Sequence, residues 1–254
     1  MLSIIKTGAF LPVSVPTRRS HLFPNFYSND SHEKYLKNLS VKPKDWIYRT
    51  KSIKYTVNQS DYRCPEWSDI DWASSIIMFG CSIVFGLGVD DSETIPYYLS
   101  KMLNIPVINM GVVGSSMGYS HHNALQYLYA GHPMPKAVIN MWTVANRLCE
   151  FRSNDIVSHG HWNSGPDSLF DRHNQYRENS QVLAIGYERA ARIFWKDIVY
   201  LSASSCYPTM QLLDLENIWE LCKCESNARD DRHMGPDSNY RVAEYLAGKL
   251  TSLM

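Results

Sequence analysis

The 254 residues, 44% hydrophobic and 12% aromatic, are enough to build one sizeable core with additions. Lys and Arg together number 25 and so do Asp and Glu, so the formal charge is zero, without the basic excess of a nucleic-acid-binding surface. No apolar run is long enough to span a bilayer.

The opening stretch MLSIIKTGAFLPVSVPTRRS makes a poor signal peptide, because its first Lys follows the apolar residues and Pro12 and Pro16 interrupt the run. A soluble, cytoplasmic protein is expected. Residues 1–72 are rich in Ser, Asn, Tyr, Lys and Pro and read as an N-terminal extension packed on a main domain of residues 73–254. Within the extension, WIYRTKSIKYTVNQSDYR (46–63) alternates enough to predict short strands with a turn near 58–61.

From Ser74 the pattern changes. SSIIMF predicts a buried strand, and SETIPYYLSKML a helix capped by Ser92 with Pro96 in its first turn. IPVINMG predicts a second strand and SMGYSHHNALQYLYAG a helix that Gly131 and Pro133 end. KAVINMW is a third strand. A long polar segment (149–181) follows, then a helix over roughly 182–196, the strand DIVYLSA, and a last helix near 237–250. Short apolar strands alternating with helices predict a three-layer α/β/α sandwich of the flavodoxin-like kind, with about five mostly parallel strands. In such sheets chemistry collects at the carboxyl ends of the strands.

Ser82 stands there, just after the turn glycine Gly80. A hydroxyl is a weak nucleophile until a base takes its proton. ARDDRHMGPDSNYRVAEYLAGKL supplies Asp230 and His233 at D-x-x-H spacing ahead of an amphipathic helix, with Asp231 as the neighbouring alternative acid. On a loop the carboxylate can fold back onto one ring nitrogen and leave the other for the serine. An oxyanion needs donors, and the N–H groups of Ser82 and Gly114 with the amide of Asn146 are the candidates.

These blocks resemble the SGNH (GDSL-like) hydrolases, an α/β family of esterases, lipases and acetylhydrolases. FGCSIVFGLGV matches the first block, with Cys81 where the family has Asp; VINMGVVGSS matches the second and DDRHMGPDSNYRVAEYLAGKL the last. The third block departs: MWTVANR lacks the family's G-x-N-D and carries Arg147 in place of Asp, so that Asn146 or Asn140 would fill the asparagine role. The resemblance covers about 74–250. It implies hydrolysis of an O-acyl ester, such as an O-acetyl ester, through an acyl-enzyme on Ser82, with a small-molecule or glycan ester as partner and neither metal nor organic cofactor. An acyltransferase, or a catalytically silent binding or structural module on the same scaffold, is the alternative.

Other features read as structural. His159 and His161 (SHGHWN) lack a third ligand at metal-site spacing, and adjacent His121 and His122 face different ways on a helix. FGLGVDD lacks the third glycine of a dinucleotide loop. Cys64, Cys81, Cys149, Cys206, Cys222 and Cys224 are scattered, so no disulfide framework is expected and Cys222-x-Cys224 reads as ordinary thiols. The polar segment 149–181, at the active edge, is expected to face the substrate as a cover.

Overall fold

The computed structural model describes residues 10, 13–14, 25–151, 156–204, 206–216, 218–222 and 227–254. Most of the opening stretch, including Pro12 and Pro16, and Cys224 lie outside them. In chain order the elements are β1 (Val13–Ser14), α1 (His32–Val41), β2 (Ile76–Gly80), the one-turn α2 (Ser82–Phe85), α3 (Ile95–Leu103), β3 (Val107–Gly111), α4 (Met117–Tyr129) and β4 (Ala137–Trp142). There follow β5 (Leu148–Phe151), β6 (Ile156–His159), α5 (Leu169–Asn174), α6 (Arg177–Phe194), β7 (Val199–Ser204), α7 (Tyr207–Leu213), α8 (Ile218–Leu221) and α9 (Pro236–Leu253).

The central sheet is wholly parallel, in the order β3-β2-β4-β7. Side chains alternate along its strands, and each face finds its own helices. Ile76 and Met78 of β2, with Ala137, Ile139 and Met141 of β4, pack against α3 and α9 through Leu99, Val242 and Leu246. Ile77 and Phe79, with Val138 and Trp142, pack the other way, against α4 and α6 through Met117, Tyr127 and Ala184. This is the expected three-layer α/β/α sandwich, with four strands among the described residues instead of about five. A second small sheet, β1-β6-β5, pairs β1 parallel to β6 and β5 antiparallel to β6.

Three local expectations change. Residues 46–63 form no strand: Ile47–Arg49 is a 3-10 turn, and the extended chain after it bonds to carboxylates, Lys54 N–H to Asp90 and Thr56 N–H to Asp91. Its turn does form, around the Asn58 side chain, which accepts from the N–H groups of Ser60 and Tyr62. The helix expected from Ser92 is split into a 3-10 turn, Asp91–Glu93, capped by Asp90, and α3, whose Tyr97 N–H is capped by Thr94. Thr94 suits the break because its backbone is extended and its hydroxyl accepts from the Tyr97 N–H, as at an N-cap, while Pro96 sits in the first turn where no intrahelical donor is needed. The polar segment 149–181 contains β6, α5, part of β5 and the start of α6, which its composition did not suggest.

The N-terminal segment is bound to the main sheet's loops by buried charge. The Arg63 guanidinium donates to the carbonyls of Phe85, Gly86, Val89 and Lys54 and to the Asp91 carboxylate, over distances of 2.6 to 3.1 Å. Asp30 and Arg229 form a buried pair, with Nη2 2.7 Å and Nε 3.0 Å from the carboxylate oxygens. Among the described residues, no helix is long and apolar enough to cross a membrane.

His121 and His122 diverge on α4, the first against Tyr187 and Phe194 of α6, the second against Phe151 of β5. Burial, with the charge of His121, pulls the His122 ring down to about 4. In the unfolded chain it returns to about 6.5. Between those values the unfolded chain binds the extra proton, so this contribution to stability is complete above about pH 6.5 and is lost as pH falls toward 4.

Two outcomes are expected. Arg63→Ala leaves several buried carbonyls without a donor and should cost about 3–5 kcal/mol in urea unfolding, with Arg63→Lys recovering only part because an ammonium cannot span the same acceptors. Between pH 7 and 4 the native protein should lose at most about 3 kcal/mol more stability than His122→Gln, measured by denaturant titration at each pH.

Candidate active site

Ser82 opens α2 directly beyond β2. The helix sits tight against the ends of two strands, where Gly80 and Gly111 are partners in register. A Cβ on Gly111 would fall 2.3 Å from the Phe85 nitrogen, so only glycine lets α2 seat there. Asn109 fastens the contact: its amide donates to the Val84 carbonyl and its oxygen accepts from Gly111 N–H.

The partner loop precedes α9. It is closed by a bridge between Asn227 and Met234 and by the Ala228 N–H donating to the His233 carbonyl at 2.9 Å. The Arg229 N–H donates to the Gly88 carbonyl at 2.9 Å, which ties this loop to the turn after α2. α1 adds the Asn38 amide on the Arg229 carbonyl.

The result is a hydrogen-bonded chain. His233 Nδ1 lies 2.7 Å from Asp230 Oδ2, and His233 Nε2 lies 2.8 Å from Ser82 Oγ. A carboxylate only accepts, so Nδ1 carries the proton and Nε2 is left to accept from the hydroxyl. The Asp230 side chain is wholly buried. Burial would raise its pKa, but the hydrogen bond and charge of His233, with Lys34 and the Arg232 N–H, outweigh it and hold the carboxyl below its ordinary value. Asp231 turns away to Lys42 and Asn227. The arrangement can draw the proton from Ser82 and hold the resulting imidazolium.

A cavity of about 510 Å³ opens over Ser82 and His233. Gly114 lines it with φ +75°, a conformation that favours glycine. Neither the Ser82 nor the Gly114 N–H donates to another described residue. Asn146 is not brought to this cavity. After β4 the chain makes a turn, with Arg147 N–H donating to the Val144 carbonyl, and neighbouring side chains leave it on different sides. Asn146 is exposed on the wall of a second cavity, and Arg147 lines the first. Asn140 is buried in β4, with its amide on the Tyr200 hydroxyl.

Several cavity residues carry no motif in the sequence. Ser28 and Asn29 come from the N-terminal segment and Arg232 from the loop between Asp230 and His233. His161 and Trp162 come from the polar segment, part of which does face the cavity, with Trp162 against Gly114. Arg147 and Arg232 sit inside blocks already singled out, so their position was the available signal; nothing marks Ser28 or Asn29. His159 is separate from His161 in role, pairing with Glu150 across β5 and β6. The five described cysteines are free thiols.

No protein-family model matches the sequence, and a search of curated proteins finds no match. Solved structures with a similar chain path include a carbohydrate esterase family 2 enzyme with a carbohydrate-binding domain from Myceliophthora fergusii (12% identity, 70% of this chain and 65% of that one, TM-score 0.43). An acetyl xylan esterase from Butyrivibrio proteoclasticus has 12% identity over 72% of this chain and 65% of its own, with TM-score 0.43. A protein described as a GDSL-like lipase from Bacteroides ovatus has 11% identity, 72% and 54% coverage and TM-score 0.38. The chain therefore spans about two thirds or less of these three, and the likeness concerns the fold alone.

Proposed function

We propose that this protein is a serine ester hydrolase that cleaves an O-acyl ester, such as an O-acetyl ester, through an acyl-enzyme. One observation carries the reading: a serine hydroxyl 2.8 Å from an imidazole that is itself 2.7 Å from a buried carboxylate, at the floor of an open cavity.

Ser82 Oγ attacks the ester carbonyl carbon as its proton passes to His233 Nε2. The carbonyl oxygen becomes an oxyanion within reach of the Ser82 and Gly114 N–H groups. Asp230 holds the ring in its tautomer and offsets the imidazolium charge. Collapse of the tetrahedral species breaks the C–O bond to the alcohol, which leaves with the proton from Nε2. Water then attacks the acyl-Ser82 carbonyl, gives a proton to Nε2, and the carboxylic acid departs as the proton returns to Ser82 Oγ.

The test is covalent labelling. A fluorophosphonate should modify the native protein at Ser82, and Ser82→Ala should abolish both the labelling and, by on the order of 10⁴-fold or more, the hydrolysis of p-nitrophenyl acetate. Labelling that persists in a folded Ser82→Ala protein would remove Ser82 from the role. Asn146→Ala should stay within a few-fold of the native rate, whereas loss of an oxyanion donor lowers turnover on the order of 10²-fold.

A further inference from the structure

The cavity over Ser82 has a one-sided charge. Among the described residues its wall carries Arg147, Arg232, His161 and His233 and no carboxylate. Asp230 supplies the nearby negative charge, but it is wholly buried and already engaged by His233.

Arg147 is the group with most left to give. Its Nη1 donates to two neutral acceptors, the Thr143 hydroxyl at 3.0 Å and the Ser115 carbonyl at 3.4 Å. Its guanidinium lies 5.1 Å from the centre of the Trp162 ring. These contacts fix the plane of the group without neutralising it, and no ion pair to it is present among the described residues. A guanidinium has five N–H donors in a rigid fork, so the remaining edge is free for a planar anion. Fixed in advance, it loses little freedom on binding one. Arg232, exposed on the catalytic loop, adds positive potential at the same cavity. Other buried cations are already used: Arg63 by five acceptors and Arg229 by Asp30.

We infer that the ester taken by this site carries a carboxylate, held by Arg147 beside the scissile bond, as in the ester of an acidic sugar or of a dicarboxylic acid. This rests on the ester-hydrolase reading and narrows its substrate class. The carboxylate belongs to either the alcohol or the acyl side, and the two arms of the test separate them.

Matched esters are compared on the full chain, each rate taken relative to its uncatalysed hydrolysis. For the alcohol side the pair is 4-acetoxybenzoate and 4-acetoxybenzamide; for the acyl side, mono-p-nitrophenyl adipate and p-nitrophenyl hexanoate. In one pair kcat/KM should favour the anion roughly ten- to hundredfold, the range of a hydrogen bond to a charged group. Arg147→Gln should bring that ratio close to one, Arg147→Lys should restore part of it, and added salt should shrink it. A ratio at or below one in both pairs, or a ratio that Arg147→Gln leaves intact, overturns the inference.

A binding arm separates the two readings. Ser82→Ala should bind 4-acetoxybenzoate or adipate, followed by tryptophan fluorescence and by calorimetry, at least tenfold more tightly than the same protein with Arg147→Gln added. If all four esters resist hydrolysis while this Arg147-dependent binding remains, the hydrolase reading falls and the carboxylate site stands. Hydrolysis of the neutral esters with no such binding leaves the hydrolase and removes the carboxylate site.

Discussion

The contact between His233 and Ser82 joins residues 151 positions apart in the chain, and a hydrogen bond at 2.8 Å tolerates well under 1 Å of drift before it is lost. Two loops must therefore hold still together. One is the turn after α2, whose carbonyls are gathered by Arg63. The other is the loop before α9, whose Arg229 is paired with Asp30 and whose backbone is tied to Gly88. Both fixings reach into the segment before residue 72. That segment also contributes Ser28 and Asn29 to the cavity wall, so it belongs to the site as much as to the scaffold.

The buried charges differ in how completely they are answered. Arg63 gives Nε, Nη1 and Nη2 to backbone carbonyls and the Asp91 carboxylate, and Arg229 gives Nε and Nη2 to Asp30 and the Asn25 carbonyl. Asp230 is answered on one side by His233 and on the other by the backbone N–H groups of Arg232 and His233, which keeps it ionised although it is out of water. Arg147 is the contrast: it is held in place by neutral groups and by an aromatic face, an arrangement that orients a cation and leaves its charge in the cavity.

The central sheet was legible because its strands are short apolar runs, two of them ending on a glycine, Gly80 and Gly111, and because α3 and α4 have hydroxyl caps at Thr94 and Ser116. The convergence of Ser82, Asp230 and His233 was legible because a strand-end serine and a D-x-x-H loop each carry their own spacing. Gly114 was legible as a glycine after a strand, and its positive φ supplies the physical reason for the residue type. The third block was not. A turn sends consecutive side chains to opposite sides, and sequence alone does not say which of Asn146 and Arg147 faces the serine. The stretch 46–63 misled for a different reason: its alternation fits a strand, yet its N–H groups found carboxylates at Asp90 and Asp91, and partner choice is a tertiary matter. The salt bridge between Asp30 and Arg229 has no local signature at all.

That pair spans 199 positions. During synthesis Asp30 leaves the ribosome long before Arg229 exists, and until then its carboxylate lacks that partner. Contacts of such separation cost loop-closure entropy before they are rewarded, which slows folding. His233 lies on that last loop, so a nascent chain stalled before it would hold Ser82 without the imidazole that the fold places beside it.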